Sequence, residues 1–91
     1  MGKKYVLKLY ILDETPNSKK AIMNIKEIFK DELKERYSLE VIDILENPQL
    51  AEENKILAVP TLIKYLPSPV KRIVGDLSEK EKVLIGIDFF D

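Results

Sequence analysis

The residue types that most often carry enzyme chemistry are missing from this 91-residue chain. It contains no cysteine and no histidine, which removes thiol nucleophiles, thiolate metal sites and the commonest general base. Thr15 and Ser18 stand three positions apart in the segment TPNS, but two hydroxyls without a base make no nucleophilic site. The pair Lys71-Arg72 is too short for a phosphate-binding patch, and we interpret it as a solvated strand edge. The sequence therefore predicts no enzyme activity, no metal site and no cofactor.

The composition is that of an ordinary globular domain. The chain is 45% hydrophobic and 34% charged, with a formal net charge of −1. This length allows one hydrophobic core, so residues 1–91 should form a single domain. The charge gives no electrostatic footprint for nucleic acid or an anionic membrane, and no apolar run approaches the ~20 residues of a bilayer span. With no signal-peptide pattern at the start, we expect a cytoplasmic protein that binds neither nucleic acid nor a membrane.

Apolar periodicity in the first half predicts a strand, a helix and a second strand. The run YVLKLYIL at 5–12 suits a central strand. Thr15 followed by Pro16 is typical of a helix start, and apolar residues continue at helical spacing to Leu33. LEVIDIL at 39–45 is the second strand. A helix of this length between two strands gives a right-handed connection, so these strands should be parallel.

The second half adds a short helix, a hairpin and a last helix. Asn47 and Pro48 predict a helix from Pro48 to Leu57. TLIKYL and VKRIVG, joined by PSP, predict a β-hairpin. Ser78 and Glu81 have capping-box spacing, which predicts a helix from Glu79 to Phe90. That helix should bury Val83, Leu84, Ile87 and Phe90.

The predicted order, β-α-β-α-β-β-α, is that of an α/β thioredoxin-like fold. In such folds a proline ahead of the third strand is commonly cis and lies beside the loop that starts the first helix. Pro60 occupies that position, and a cis X–Pro bond costs only ~0.5–1 kcal/mol. Thr15 and Ser18 stand where a thioredoxin carries its two cysteines. Because no atom here can form a mixed disulfide, the thiol–disulfide oxidoreductase function of thioredoxins is excluded.

Several segments resemble the KaiB family of circadian-clock proteins: YVLKLYI, TPNS, VIDILENPQLAEENKILAVPTL, LPSPVKRIVGDLS and EKVLIGID. The resemblance implies a non-catalytic adaptor that binds the N-terminal ATPase ring of KaiC, a hexameric clock ATPase and autokinase. In cyanobacteria, family members then recruit KaiA and displace the sensor kinase SasA. The resemblance also implies an alternative fold, a resting and usually homotetrameric state with a rearranged C-terminal half. The thioredoxin-like state is the monomer that binds.

The resemblance assigns partner-binding roles to four residues. Lys55 matches the family lysine at the KaiC-binding surface, and Lys20 sits where the family often has arginine on a partner-facing helix. Ser38 and Glu40 match positions that help to hold KaiA. Glu40 reverses the charge of the lysine common there, and like charges across an interface can cost several kcal/mol. KaiA is therefore the weaker of the two further candidate partners, KaiA and a SasA-type kinase.

Three residues are expected to control the change of fold. Gly86 and Asp88 match family positions that set the balance between the two states, and Pro60 opens the half that would refold. The segment KVLIGIDFF at 82–90 supports this expectation. Its composition suits a buried strand, and Gly86 costs a helix roughly 1 kcal/mol relative to Ala. When local preferences disagree with the fold in this way, the energy difference between competing folds becomes smaller.

Three alternative functions stay open at the level of sequence. The chain could be the redox-dead, thioredoxin-like sensor module of a SasA-type kinase. It could be a KaiB homologue in a KaiC-linked stress response, which suits the departure at Glu40 and the end of the chain at Asp91 without an acidic tail. It could also be a thioredoxin-fold interaction protein unrelated to a clock.

Overall fold

The computed structural model describes residues 4–13, 15–75 and 77–89. The strands and helices follow in the predicted order: β1 (Tyr5–Ile11), α1 (Pro16–Glu32), β2 (Tyr37–Asp43), α2 (Pro48–Glu53), β3 (Thr61–Leu66), β4 (Lys71–Val74) and α3 (Lys80–Gly86). None of the helices in these ranges has the length and apolar character that a bilayer crossing requires.

The four strands form one sheet in the order β2-β1-β3-β4. β1 pairs in parallel with β2 and antiparallel with β3, which pairs antiparallel with β4. The parallel pair and the hairpin are therefore confirmed, and β1 is a central strand as predicted. β2 begins two residues earlier than predicted because its register with β1 starts at Tyr5 opposite Tyr37. It ends at Asp43, whose carboxylate accepts hydrogen bonds from the N–H groups of Asp13 and Leu45.

Helices cover both faces of the sheet. α1 and α3 pack on the first face, over a core in which Leu9, Ile25, Phe29, Val83 and Ile87 are fully buried. α2 covers part of the second face. The smaller cluster there consists of Tyr10, Ile42 and Ile63, with Ile44, Leu50, Ile56 and Tyr65 packed against it.

The start of α1 is the most local feature of the fold, and it is confirmed. Thr15 is the N-cap, its hydroxyl accepts a hydrogen bond from the Ser18 N–H at 3.1 Å, and Pro16 occupies the first helical position. The cap satisfies one of the N–H groups that a helix start leaves without an intrahelical partner.

The predicted capping box of α3 is wrong. The helix begins at Lys80 with Glu79 at the N-cap position, and the Glu79 side chain makes no capping hydrogen bond. Ser78 and Glu81 therefore occupy N′ and N2 rather than the N-cap and N3 positions that a capping box requires. The start of α3 is instead linked to the end of α1 by the Lys80–Glu32 ion pair, at 2.7 Å.

α2 and α3 are both shorter than predicted, and both end in a left-handed residue that is not glycine. α2 ends ahead of Lys55, at φ +52°, and α3 ahead of Asp88, at φ +59°. α1 is likewise followed by Lys34 at φ +55°. Glycine usually marks such a helix end. The sequence has no glycine at these three positions and therefore did not predict the three helix ends. The predicted burial of Phe90 lies outside the described residues.

Candidate functional site

The segment TPNS lies at a cleft on the surface of the thioredoxin-like fold. Thr15, Ser18 and Lys20 line this cleft of about 580 Å³ together with Val59 and Pro60. The Val59–Pro60 peptide bond is cis, and the prediction that Pro60 lies beside the start of α1 is confirmed.

Internal hydrogen bonds use both hydroxyls at this cleft. Thr15 Oγ1 donates to Ser18 Oγ at 3.0 Å, and Ser18 Oγ donates to the carbonyl of Leu12 at 3.2 Å. These bonds stabilise the start of α1. Two hydroxyl oxygens in place of two thiols leave no group that could undergo thiol–disulfide exchange.

Lys55 occupies the turn that ends α2. The Lys55 N–H donates to the carbonyl of Glu52 at 3.1 Å, and the Ile56 N–H donates to that of Ala51 at 2.9 Å. These two bonds define a Schellman motif with Lys55 at the position that favours glycine. A left-handed conformation costs an L-residue roughly 1–2 kcal/mol. Strain of this kind at an exposed lysine is a reason to look for function.

The turn places one apolar residue in solvent. Ile56 packs into the smaller core cluster, whereas the next residue, Leu57, is 95% exposed. An isolated exposed leucine needs no explanation, but this one lies two residues from Lys55. We call residues 54–57 the Lys55 turn.

Arg72 in β4 binds the backbone of the Lys55 turn through its side chain. Its Nη1 donates to the carbonyl of Lys55 at 2.9 Å, and its Nη2 donates to that of Asn54 at 2.8 Å. The interpretation of Lys71-Arg72 as a solvated strand edge is confirmed, since both residues are exposed on the edge strand β4, but it missed the contact of Arg72 with the turn. Its partners lie 17 and 18 positions earlier in the chain, so no local pattern could have identified them.

A second connection to the turn runs through two tyrosines that sequence reasoning missed. The hydroxyl of Tyr65 donates to Asn54 Oδ1 at 3.0 Å, and Tyr10 and Tyr65 share a hydrogen bond of 2.9 Å between their hydroxyls. Burial raises the pKa of the Tyr10 phenol well above its ordinary value, and the hydrogen bond to Tyr65 raises it further. The available signal was a tyrosine within each of two largely apolar strand segments, because a buried tyrosine hydroxyl usually has a hydrogen-bond partner.

Ser38 and Glu40 lie on β2, at an edge of the sheet, and both are exposed. Glu40 Oε1 lies 3.9 Å from the Lys8 ammonium, and that ammonium lies 5.4 Å from the centre of the Tyr65 ring. The negative charge that distinguishes Glu40 thus has a cation opposite it in the neighbouring strand.

Gly86 and Asp88 lie together at the end of α3. A Cβ at Gly86 would lie 2.6 Å from Cδ1 of Ile73 and 2.7 Å from its Cγ1, so the helix contacts β4 closely there. The Asp88 carboxylate lies 3.7 Å from the Lys71 ammonium and 4.0 Å from that of Lys64, a lysine only 1% exposed. Sequence reasoning missed Lys64.

The structure divides the predicted site residues among separate regions. Lys55, Ser38 and Glu40 are associated with the face that α2 partly covers. Lys20 lies in α1 at the cleft, and Gly86 and Asp88 lie under the other face. Within the described ranges, no three acidic residues come together as a metal site would require. Exposure leaves four of the predicted site residues accessible to other molecules: Lys20, Ser38, Glu40 and Lys55.

Comparison with known proteins identifies relatives over almost the whole chain. The family model for the KaiB domain matches residues 8–89. The circadian clock oscillator protein KaiB of Rippkaea orientalis is 63% identical over 86 residues, which are 94% of this chain and 83% of that protein.

Solved structures share the fold at low identity. The N-terminal domain of SasA from Synechococcus elongatus matches 91% of this chain and 78% of its own, at a TM-score of 0.73 and 24% identity. Oxidised mitochondrial thioredoxin 3 from Saccharomyces cerevisiae matches 97% of this chain and 80% of its own, at a TM-score of 0.74 and 15% identity. The predicted thioredoxin-like fold is therefore confirmed.

Proposed function

This chain belongs to the KaiB family, and on that premise we propose that it is a non-catalytic circadian clock adaptor. Its partner is the N-terminal ATPase ring of a KaiC-type hexamer, and binding regulates the phosphorylation cycle of that hexamer. The relative from Rippkaea orientalis carries the name of a clock oscillator protein, which supports the clock role. The proposal places the complex in the cytoplasm.

The Lys55 turn is the observation that carries the proposal. It exposes a cation and a leucine two positions apart, and the cation, Lys55, adopts an unfavourable backbone angle just beyond the end of α2. A partly apolar contact with a charged rim is the usual composition of a protein–protein interface. We infer that Lys55 faces an acidic group of the ring. Lys20, at the separate cleft, is proposed as a second and more distant contact.

The proposal gives the cleft at Thr15 and Ser18 no catalytic role. Both hydroxyls are committed to the start of α1, and neither can take up or release a disulfide. Loss of the redox groups with retention of the fold suits a protein that has kept a binding surface only.

A change of fold is the slow step of the proposed mechanism. The short α3, its close contact with Ile73 at Gly86 and the left-handed Asp88 support a C-terminal half that can adopt a second arrangement. Pro60 marks the start of that half. The expected resting form is a homotetramer, and the thioredoxin-like monomer is the form that binds.

Light scattering and amide NMR over a range of protein concentrations test this step. Two slowly exchanging sets of amide signals, with a larger species at high concentration, would support it. One monomeric species with one set of signals at every concentration would contradict it.

Association with KaiA is the weakest part of the proposal. Glu40 places an exposed carboxylate on β2, so the acidic surface of a partner fitted to lysine would meet a like charge there. A SasA-type kinase that binds the same ring is the other candidate partner. A role in a stress response, with a KaiC-type ATPase and without KaiA, is the alternative to a clock role for this chain. Co-migration with KaiA on a preformed ring complex, compared between the wild type and Glu40→Lys, separates these possibilities.

The sensor module of a SasA-type kinase is the second candidate function. The likeness to the SasA domain favours it, but that likeness stands at 24% identity, against 63% to the clock oscillator protein. Overall sequence identity therefore favours the adaptor.

Size-exclusion binding to a KaiC-type ring with ATP tests the adaptor proposal directly. The wild type should co-elute with the ring, and Lys55→Glu should not. Lys26→Glu, an equal change of charge on an exposed position of α1, should bind as the wild type does. No binding by the wild type would refute the adaptor function, and full binding by Lys55→Glu would refute the role of Lys55.

A further inference from the structure

We propose that Arg72 is a positioning residue that fixes the Lys55 turn in its binding conformation. The inference rests on the proposed function and extends it to a residue on a different element of the fold. Arg72 would act through the backbone of Asn54 and Lys55 rather than by touching the partner.

The two hydrogen bonds of Arg72 meet a need created at the end of α2. The last carbonyls of a helix have no intrahelical donors and carry the negative end of the helix dipole. The carbonyl of Asn54, the C-cap residue, is one of these, and that of Lys55 follows just beyond the helix. The guanidinium offers two N–H groups in a fixed plane, and they reach two successive carbonyls at 2.8 and 2.9 Å. A lysine ammonium lacks this fork geometry. Arginine therefore both satisfies the carbonyls and stabilises the left-handed Lys55.

Side chains on the same face of the sheet anchor the turn further. Arg72 pairs with Ile63 across β4 and β3, and Tyr65, two residues beyond Ile63, donates to the side chain of Asn54. Asn54 is thus held both at its carbonyl and at its side-chain oxygen. Ile56, in the same turn, packs against the smaller core cluster. The hairpin of β3 and β4 consequently determines where Lys55 and Leu57 stand.

This arrangement specifies the chemistry of the surface that the turn fits. Lys55 requires a carboxylate, and Leu57, which is 95% exposed, requires an apolar recess beside it. A held turn loses less conformational freedom on binding than a free one, and that difference appears as affinity. The positioning role is therefore expected to matter even though Arg72 makes no contact with the partner.

Amide hydrogen exchange of the free protein tests the clamp without any partner. In Arg72→Ala the amides of Lys55 and Ile56, which form the Schellman motif, should exchange roughly tenfold faster, the factor that 1.4 kcal/mol represents. Arg72→Lys should restore little of this protection, and Lys26→Ala should change nothing. Unchanged protection at both amides in Arg72→Ala would overturn the proposal.

A double-mutant cycle on ring binding then separates positioning from direct contact. Arg72→Ala and Lys55→Ala should each weaken binding to a KaiC-type ring with ATP by about tenfold. The double variant should bind little worse than Lys55→Ala alone, since Arg72 acts through the same turn. Additive losses would mean that Arg72 acts independently of the Lys55 side chain and would overturn the positioning of Lys55. If the wild type does not bind the ring, the proposed function fails, and the exchange measurement alone decides the clamp.

Discussion

The Lys64 ammonium lies 4.0 Å from Oδ2 of Asp88. Lys64 is only 1% exposed, whereas the Asp88 side chain is 33% exposed. Lys71, which pairs with Lys64 across β3 and β4, approaches the same carboxylate to 3.7 Å. One carboxylate at the end of α3 therefore lies between two cations that face each other across the hairpin. This relationship connects α3 to the sheet through charge as well as through apolar packing.

Asp88→Asn should destabilise the thioredoxin-like fold by roughly 1–3 kcal/mol, between the effects of exposed and fully buried ion pairs. Asparagine tolerates the left-handed conformation, so the substitution isolates the lost charge. Urea unfolding measures the difference, with Glu40→Gln at the exposed Lys8 pair as a control that should change stability little. A wild-type unfolding midpoint for Asp88→Asn would contradict the role of the carboxylate.

Lys55→Gly should raise the free energy of unfolding by up to about 1 kcal/mol, because glycine adopts the left-handed angle without the penalty of an L-residue. The same variant should lose affinity for the ring. Lys34→Gly relieves a matching angle, φ +55° after α1, and should stabilise without affecting binding. Urea titration and size-exclusion binding on the same samples check both results, and equal binding by the two variants would count against Lys55.

Gly86→Ala should change the free energy of unfolding less favourably in the wild type than in an Ile73→Ala background. We expect a difference of about 1–2 kcal/mol between the two backgrounds. Alanine improves the helix by roughly 1 kcal/mol, but its methyl group would meet Ile73 at 2.6 Å, and overpacking costs typically 1–3 kcal/mol. A double-mutant cycle on urea unfolding isolates the contact. Additive effects would mean that Ile73 moves aside at no cost.

Tyr10→Phe should alter the response of stability to alkaline pH. Burial raises the pKa of the folded-state phenol, so its contribution is complete below about pH 10, where the unfolded tyrosine ionises, and is lost as the pH rises beyond that. The wild type should therefore lose up to about 1.4 kcal/mol per pH unit more than the variant above that pH.

Near pH 8 the variant should be less stable by about 1 kcal/mol, because it lacks one hydrogen bond. Urea unfolding at several pH values should show this gap narrowing as the pH rises. A constant gap would mean that Tyr10 does not titrate differently in the two states.

Local sequence patterns were sufficient for the elements and for their order. Apolar spacing, together with cap and turn signals, predicted the four strands and three helices that the described residues form, and the Thr15-Pro16 signal located the start of α1 correctly. Such signals act within a few residues of the chain. They failed at the ends of α2 and α3, because Lys55 and Asp88 adopt the left-handed angle that glycine normally indicates.

The tertiary structure alone decided the contacts that give the candidate site its form. Arg72 reaches the Lys55 turn, Lys64 meets Asp88, and Tyr10 meets Tyr65 across the sheet. Each pair is distant in sequence and is brought together by strand register and helix packing. The amino-acid sequence by itself determined which residues could form strands, helices and the core, because those preferences are local. Which charges and carbonyls would meet depended on the folded sheet, because only the whole fold sets those distances.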